Sequence, residues 1–302
     1  MAGLVGGNVD ASRVADRTAK LEEIYESLGP TATNFCGLGR AELALLTSQE
    51  HSGEGAHVYG DTEGELVAHL FGDMRRGAVA AEDSFCDLGS GNGKLLLQLA
   101  LMTHARHLTG VELSATRHAH ATAALDAAEK SGVLSPARSR SIEFCCSSML
   151  GHAALRHTTL CFCYNLALDD AFLEMLEADL AQRLPIGALV LLRGKPFPGR
   201  TWVGVGSGAS SRGMQPVIET RIVNRMHQFY GYRVADASTA PSDGTADAAA
   251  ELRLLELEQC SAPLTGDTSG RFVHSFFVPA QLQEPGIFSE DDIFRGFRQE
   301  ES

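Results

Sequence analysis

The sequence predicts an α/β protein built on a doubly wound, Rossmann-like sheet, and three observations carry that prediction. Short apolar runs alternate with helical patterns from residue 58 onward, as successive βαβ units require. A glycine-rich turn, Asp87-Leu88-Gly89-Ser90-Gly91-Asn92-Gly93-Lys94, joins the first run to the helical pattern that follows it. An acid, Glu112, ends the next run in Gly110-Val111-Glu112.

The runs expected as strands are Ser84–Leu88, His107–Val111, Ser141–Cys145, Leu160–Tyr164 and Ala188–Leu192, with helical patterns at 94–103, 114–130 and 169–183 between them. Ahead of them, Thr62-Glu63-Gly64-Glu65 has capping-box spacing before Leu66, Val67, Leu70 and Phe71, which predicts a helix leading into the sheet. Two amphipathic stretches, around Leu21 to Leu28 and Arg40 to Leu46, predict a small helical N-terminal extension over 1–57. The catalytic domain is then expected over 58–302, with a Gly/Ser-rich insertion at about 199–250. Within it 199–216 and 236–250 read as loops and Val217–Phe229 as a helix. Leu252–Leu257 and Phe272–Val278 read as the closing antiparallel strands of a mostly parallel, seven-stranded sheet.

Composition narrows the class. With 44% hydrophobic and 21% charged residues in 302, the chain can bury a large core and is not a disordered protein. No run reaches the ~18 apolar residues of a membrane span, and no basic-then-apolar leader opens the sequence, so an intracellular protein without membrane association is expected. Seven cysteines without a CxxC pair read as reduced thiols, and eleven histidines show no ligand spacing, so no metal is expected. A net charge of -13 argues against a surface that wraps nucleic acid and suits a basic macromolecular partner.

The turn carries the first chemistry. Its glycines allow a tight bend and close backbone approach by a ligand, beside the free N–H groups of a helix start. A dinucleotide turn would place its third glycine one residue later, so this G-x-G-x-G after Asp87 suits a nucleotide-like cofactor without a pyrophosphate. Asp87 is then expected to accept from the cofactor's amino group and Glu112 to grip its ribose. The structural alternative is a plain strand-to-helix connection with a solvated acid nearby.

At this point the residues resemble the disruptor-of-telomeric-silencing family of histone lysine methyltransferases, which lack a SET domain. Tyr59-Gly60-Asp61-Thr62 with Leu66-Val67-Ala68 resembles the family's tyrosine-glycine-glutamate-threonine loop and following helix. Asp87 to Gly93 resembles its glycine turn, and Gly110-Val111-Glu112 its ribose strand. Tyr164-Asn165-Leu166-Ala167-Leu168 is similar to its Asn-Asn-Phe-Ala-Phe segment, and Gly194-Lys195-Pro196-Phe197 to its Ser-Lys-Pro-Phe strand end. The resemblance spans about 58–198 and implies a class I methyltransferase fold with S-adenosylmethionine as cofactor.

It further implies that Tyr59, Gly60, Asp61 and Thr62 close over the methionine part of the cofactor, held also by Asp87, Gly89, Gly91, Gly93, Lys94 and Glu112. Asn165, with Tyr59, is implied to stand at the reacting centre. The family's adenine-binding Asp-Phe is here Ser148-Met149, and its two segment phenylalanines are Leu166 and Leu168. The implied substrate is a lysine of histone H3 in the nucleosome, met in the nucleus, with Lys195 and Phe197 on the substrate side. Two alternatives stay open: a methyltransferase for another protein or a small amine, and a non-catalytic protein that binds cofactor or nucleosome.

One feature lies outside the resemblance. Residues 193–233 carry seven basic side chains against the single acid Glu219. If this island flanks the crevice, Arg212, Arg221 and Arg225 are expected to contact nucleosomal DNA or the nucleosome's acidic surface. Otherwise it is a solvated loop and helix.

Overall fold

The five apolar runs all become strands of one sheet in the computed structural model, which describes residues 11–29, 42, 62, 64–75, 77–198, 203–204, 211–222 and 227–236. They belong to one compact unit, Met1–Leu264; a second, Thr265–Ser302, lies outside the described residues. The strands are β1 (Ser84–Leu88), β2 (His107–Glu112), β3 (Ile142–Cys146), β4 (Leu160–Tyr164) and β5 (Leu189–Arg193), followed by β6 (Val203–Gly204), β7 (Ser211–Ile222) and β8 (His227–Asp236). Their order is β3-β2-β1-β4-β5-β8-β7-β6. The first five are mutually parallel and β8 joins β5 antiparallel, so the expected mostly parallel sheet of seven main strands forms, with the two-residue β6 at its edge.

Helices α1 (Ala11–Ser27), α2 (Gly64–Arg75), α3 (Lys94–Met102), α4 (Ala115–Lys130) and α5 (Asp170–Arg183) complete the described frame. None is long and apolar enough to cross a membrane among the described residues.

Period-two alternation sorts the strand side chains into two layers. Phe85, Leu108, Leu160, Phe162, Leu189 and Leu191 enter one core with α1, α2, α3 and α4. Cys86, Leu88, Val111, Cys161, Cys163, Val190 and Leu192 enter the other, under α5. Cys86, Cys161 and Cys163 are therefore small apolar core residues with free thiols, and burial raises all three well above the ordinary cysteine range. Arg138 closes the far end of α3, donating to the carbonyls of Ala100, Thr103 and Ala105. The first two are C-terminal carbonyls a helix cannot satisfy itself, and the third lies just beyond its end.

Two expectations for the second half are overturned. Of the segment read as a helix at Val217–Phe229, the part up to Ile222 is the end of β7 and the part from His227 is the start of β8, with 223–226 outside the described residues, and the loop reading of 199–216 fails from Ser211 onward. Val217, Ile218, Thr220 and Ile222 are mostly β-branched, which favours a strand, while their spacing imitates a helical stripe. Pro216 is accommodated at a register shift between Pro216 and Ile218, where a strand can spare a backbone donor. This hairpin supplies the antiparallel strands beside β5. The runs expected to close the sheet, 252–257 and 272–278, lie outside the described residues, as do 40–41 and 43–46 of the second amphipathic stretch.

Candidate active site

All five parallel strands end at one edge, and alternation decides which side chains meet there. Asp87 shares its face with Phe85, Glu112 with Leu108, Tyr164 with Phe162 and Arg193 with Leu191. The two acids, the ring and the guanidinium thus collect on the α2–α3 side of the strand ends. In doubly wound sheets this carboxyl edge is where ligands bind.

The glycine turn is pinned from several sides. The N–H groups of Gly89 and Ser90 donate to the Val111 carbonyl at 2.8 and 3.0 Å, and that of Gly93 to the Ser90 carbonyl at 2.9 Å. Gly89 has φ 83°, and a Cβ there would meet only Met149 Cε, at 3.7 Å, so this face of the turn is open. Gly93 caps α3 in the left-handed region with no side chain of its own, and the Lys94 N–H donates to Asn92 Oδ1 at 3.2 Å. An anion at this point meets the positive end of the helix.

Asp87 is buried at 3% exposure. Burial, and secondarily the charge of Glu112, pushes its carboxyl up to about 8. Glu112 is 6% exposed; its Oε2 accepts from the Gly91 N–H and its Oε1 from the Ser114 N–H, both at 2.8 Å. Arg117 Nη1 lies 3.9 Å from the same Oε1. Each carboxylate oxygen keeps a second lone pair for a further donor. Two buried acids on one face favour a cation between them.

A carboxyl held above its ordinary 3.8 keeps its proton in the fold where the unfolded chain has already lost it. Stability from this group is therefore complete below about 4 and falls as pH rises towards 8. Asp87→Asn is expected to remove that fall. Urea midpoints of the two proteins should agree near pH 4 and separate in the variant's favour by pH 8; a constant difference would contradict the assignment.

The other expected residues divide. Met149 reaches the glycine turn, whereas Ser148 is exposed and accepts from the Leu150 N–H. Thr62 accepts from Arg193 Nη1. Tyr59, Gly60 and Asp61 lie outside the described residues. Lys94 pairs with Glu22 at 2.7 Å, tying α3 to α1. Asn165 is fully buried at the end of β4; its Nδ2 donates to the Lys195 carbonyl at 2.7 Å and its Oδ1 accepts from the Lys195 N–H at 2.9 Å. Lys195 Nζ donates to the Leu168 carbonyl. Phe197 is buried against Tyr232 in the second core, with ring centroids 4.9 Å apart.

Among the described residues, the basic side chains of the island stand at different places. Arg193 is buried, with its guanidinium 4.5 Å above the Tyr164 ring. Arg212 donates to the carbonyls of Gln182 and Leu184, sealing the C-terminus of α5 at the edge opposite the crevice. Arg233, paired with Leu189 at the start of β5, also lies at that far edge. By register Arg221, opposite Gln228, is at the crevice end; Arg225 is outside the described residues. An antiparallel hairpin sends residues ten apart to opposite ends of the sheet, which no one-dimensional charge count reveals.

Sequence reasoning also missed three contacts from the N-terminal part. Tyr25, 1% exposed on α1, donates its hydroxyl to the Asn92 carbonyl at 3.0 Å. Glu22 holds Lys94, and Glu42 holds the start of α4. Tyr25 lies on the amphipathic stretch the sequence shows, but its target required the fold.

Several known proteins are similar to this chain. Among solved structures, the chain is similar to an RNA methyltransferase from Salinibacter ruber in complex with S-adenosyl-L-homocysteine, at 17% identity and TM-score 0.42, over 61% of this chain and 98% of that one. It is also similar to the magnesium protoporphyrin IX methyltransferase of Synechocystis PCC 6803, at 14% identity and TM-score 0.38, over 73% and 97%. For phosphoethanolamine N-methyltransferase 1 of Haemonchus contortus the values are 12% and 0.40, over 78% and 51%. At these scores the likenesses say nothing of substrate. The family model described as histone methylation protein DOT1 matches residues 47–191, a span that includes the glycine turn, Glu112 and Asn165. Over these residues, just under half of its length, the chain is similar to the DOT1 histone methylation family.

Proposed function

We propose that this chain transfers a methyl group from S-adenosylmethionine to a lysine side chain of histone H3 in the nucleosome core, in the nucleus. The observation that carries the reading is the coincidence of the family match with a built crevice: the matched span holds both buried acids and the open glycine turn.

The residues fit the cofactor. Asp87 would take its amino group, a cation that offsets the burial holding the carboxyl at about 8. Glu112 would take the ribose hydroxyls, Gly89 would let the chain pass, the start of α3 would face the carboxylate, and Met149 would flank the adenine. Lys94 is committed to α1 and supports the turn from behind. Tyr59, Gly60 and Asp61 are assigned to the same pocket on the resemblance alone, with Tyr59 walling off water.

S-adenosylmethionine supplies a methyl group already activated for transfer, so the chain's task is alignment, worth roughly 7–11 kcal/mol of barrier. The incoming amine must be neutral, against an ordinary lysine pKa of about 10.4. Arg193, a buried cation at the same strand end, disfavours the ammonium form. Asn165 and Lys195 shape the crevice floor, and a lysine side chain would run past them. Phe197 supports that floor from the core below. Of the proposed DNA contact, Arg221 at the end of β7 is what remains among the described residues, with Arg225 outside them; Arg212 has a structural task.

Recombinant protein incubated with tritiated S-adenosylmethionine and nucleosomes, free histones or cell extract is expected to label H3 within nucleosomes, with the lysine identified by mass spectrometry. Label confined to non-histone material would overturn the substrate. Gly89→Arg, which fills the open face of the turn, is expected to stay folded and lose S-adenosylhomocysteine binding by calorimetry; unchanged affinity would overturn the pocket.

A further inference from the structure

Resting on that reading, we infer that Glu42 is a positioning residue for the cofactor's ribose, acting through the β2–α4 turn that holds Glu112. Glu42 lies seventy-two residues before Ser114 in the chain, yet its Oε1 accepts from Ser114 Oγ at 2.6 Å and from the Thr116 N–H at 3.0 Å. Its Oε2 accepts from the Thr116 hydroxyl. Three donors thus converge on one carboxylate at the N-terminus of a sixteen-residue helix, the end at which negative charge is favourable. The same hydrogen bonds, with the charge of Arg117, hold Glu42 below its usual range against the opposing effect of burial.

Ser114 passes the restraint on. Its hydroxyl is taken by Glu42 and accepts from the Arg117 N–H, capping α4, while its own N–H donates to Glu112 Oε1. Glu112 Oε2 in turn accepts from the Gly91 N–H of the glycine turn. A continuous chain of hydrogen bonds, Glu42 to Ser114 to Glu112 to Gly91, therefore sets the carboxylate assigned to the ribose. Tyr25 and Glu22 brace the far side of the glycine turn through Asn92 and Lys94. The N-terminal part is in this sense a component of the cofactor site.

Ribose recognition separates this role from general loosening of the fold. Calorimetry on the full chain would compare S-adenosylhomocysteine with its 2′,3′-dideoxy analogue, for the parent, Glu42→Ala, Glu42→Gln and Glu42→Asp. Glu42→Ala and Glu42→Gln are expected to weaken S-adenosylhomocysteine roughly tenfold, the equivalent of one well-made hydrogen bond, and the dideoxy analogue little. Glu42→Asp is expected to recover part of the loss, and kcat at saturating cofactor to stay near the parent's. Equal losses for the two ligands, or none for either, would overturn the inference. A parent that binds neither ligand would instead overturn the proposed function, and this inference with it.

Discussion

Gly93→Ala is expected to cost the fold several kcal/mol, far more than Gly89→Ala four residues earlier in the same turn. Both glycines have positive φ, 79° and 83°, where a side chain adds ~1–2 kcal/mol of strain. They differ in what surrounds them. A Cβ on Gly93 would stand 2.4 and 2.6 Å from ring atoms of Phe144 and 2.9 Å from Ala121 Cβ, so β3 and α4 would have to move, a further ~1–3 kcal/mol. Gly89 would meet nothing closer than 3.7 Å. Domains of this kind are stable by ~5–15 kcal/mol, so Gly93→Ala should lower the urea midpoint steeply or yield insoluble protein. Gly89→Ala should fold and chiefly weaken cofactor binding. Equal midpoints for the two variants would mean that Phe144 swings clear and that Gly93 serves the ligand rather than the packing.

The division of labour within the turn is an example of what the sequence could and could not convey. Short apolar runs bounded by turn residues located β1 to β5 to within a residue or two, because a parallel sheet buried on both faces demands that pattern and little else produces it. The β7–β8 hairpin was illegible because its residues satisfy a helical stripe and a β-branched strand equally well, and pairing with β5 decided the outcome. In the site, Asp87 and Glu112 were legible since strand ends and face follow from period two. The contacts of Glu42 with Ser114, Tyr25 with Asn92 and Arg193 with Thr62 were not, since each spans at least sixty-seven residues. Lys195 and Phe197 show what a motif match leaves open: their side chains also touch the frame, at Leu168 and Tyr232.

Asn165→Ala is expected to lower turnover by about 10²-fold while S-adenosylhomocysteine binds within a few-fold of the parent. The resemblance implies an asparagine beside the reacting amine; the structure gives both its polar groups to the Lys195 backbone, and its own N–H to the Arg193 carbonyl. Asn165 is therefore a clasp between the ends of β4 and β5. Gly194 is part of the clasp: at φ 124° it carries no side chain, and a Cβ there would stand 2.9 Å from Asn165 Oδ1 and from the Leu166 backbone. Removing the amide takes these partners from the N–H and C=O of Lys195 in a half-buried place, at a cost of about 1 kcal/mol each, and lets the two strand ends part. A displacement of about 1 Å at the reacting centre is enough for a hundredfold loss. Asp87, Glu112 and the glycine turn lie on β1 and β2 or beside them, across β4 from the break, so cofactor affinity should survive. Asn165→Asp is a second test, because it sets a carboxylate oxygen against the Lys195 carbonyl in place of the Nδ2 donor and should fail nearly as badly as alanine. If Asn165→Asp retained activity while alanine lost it, an acceptor aimed at the substrate amine would be the better account. If instead alanine lost cofactor affinity and turnover in equal measure, the clasp would belong to the cofactor pocket.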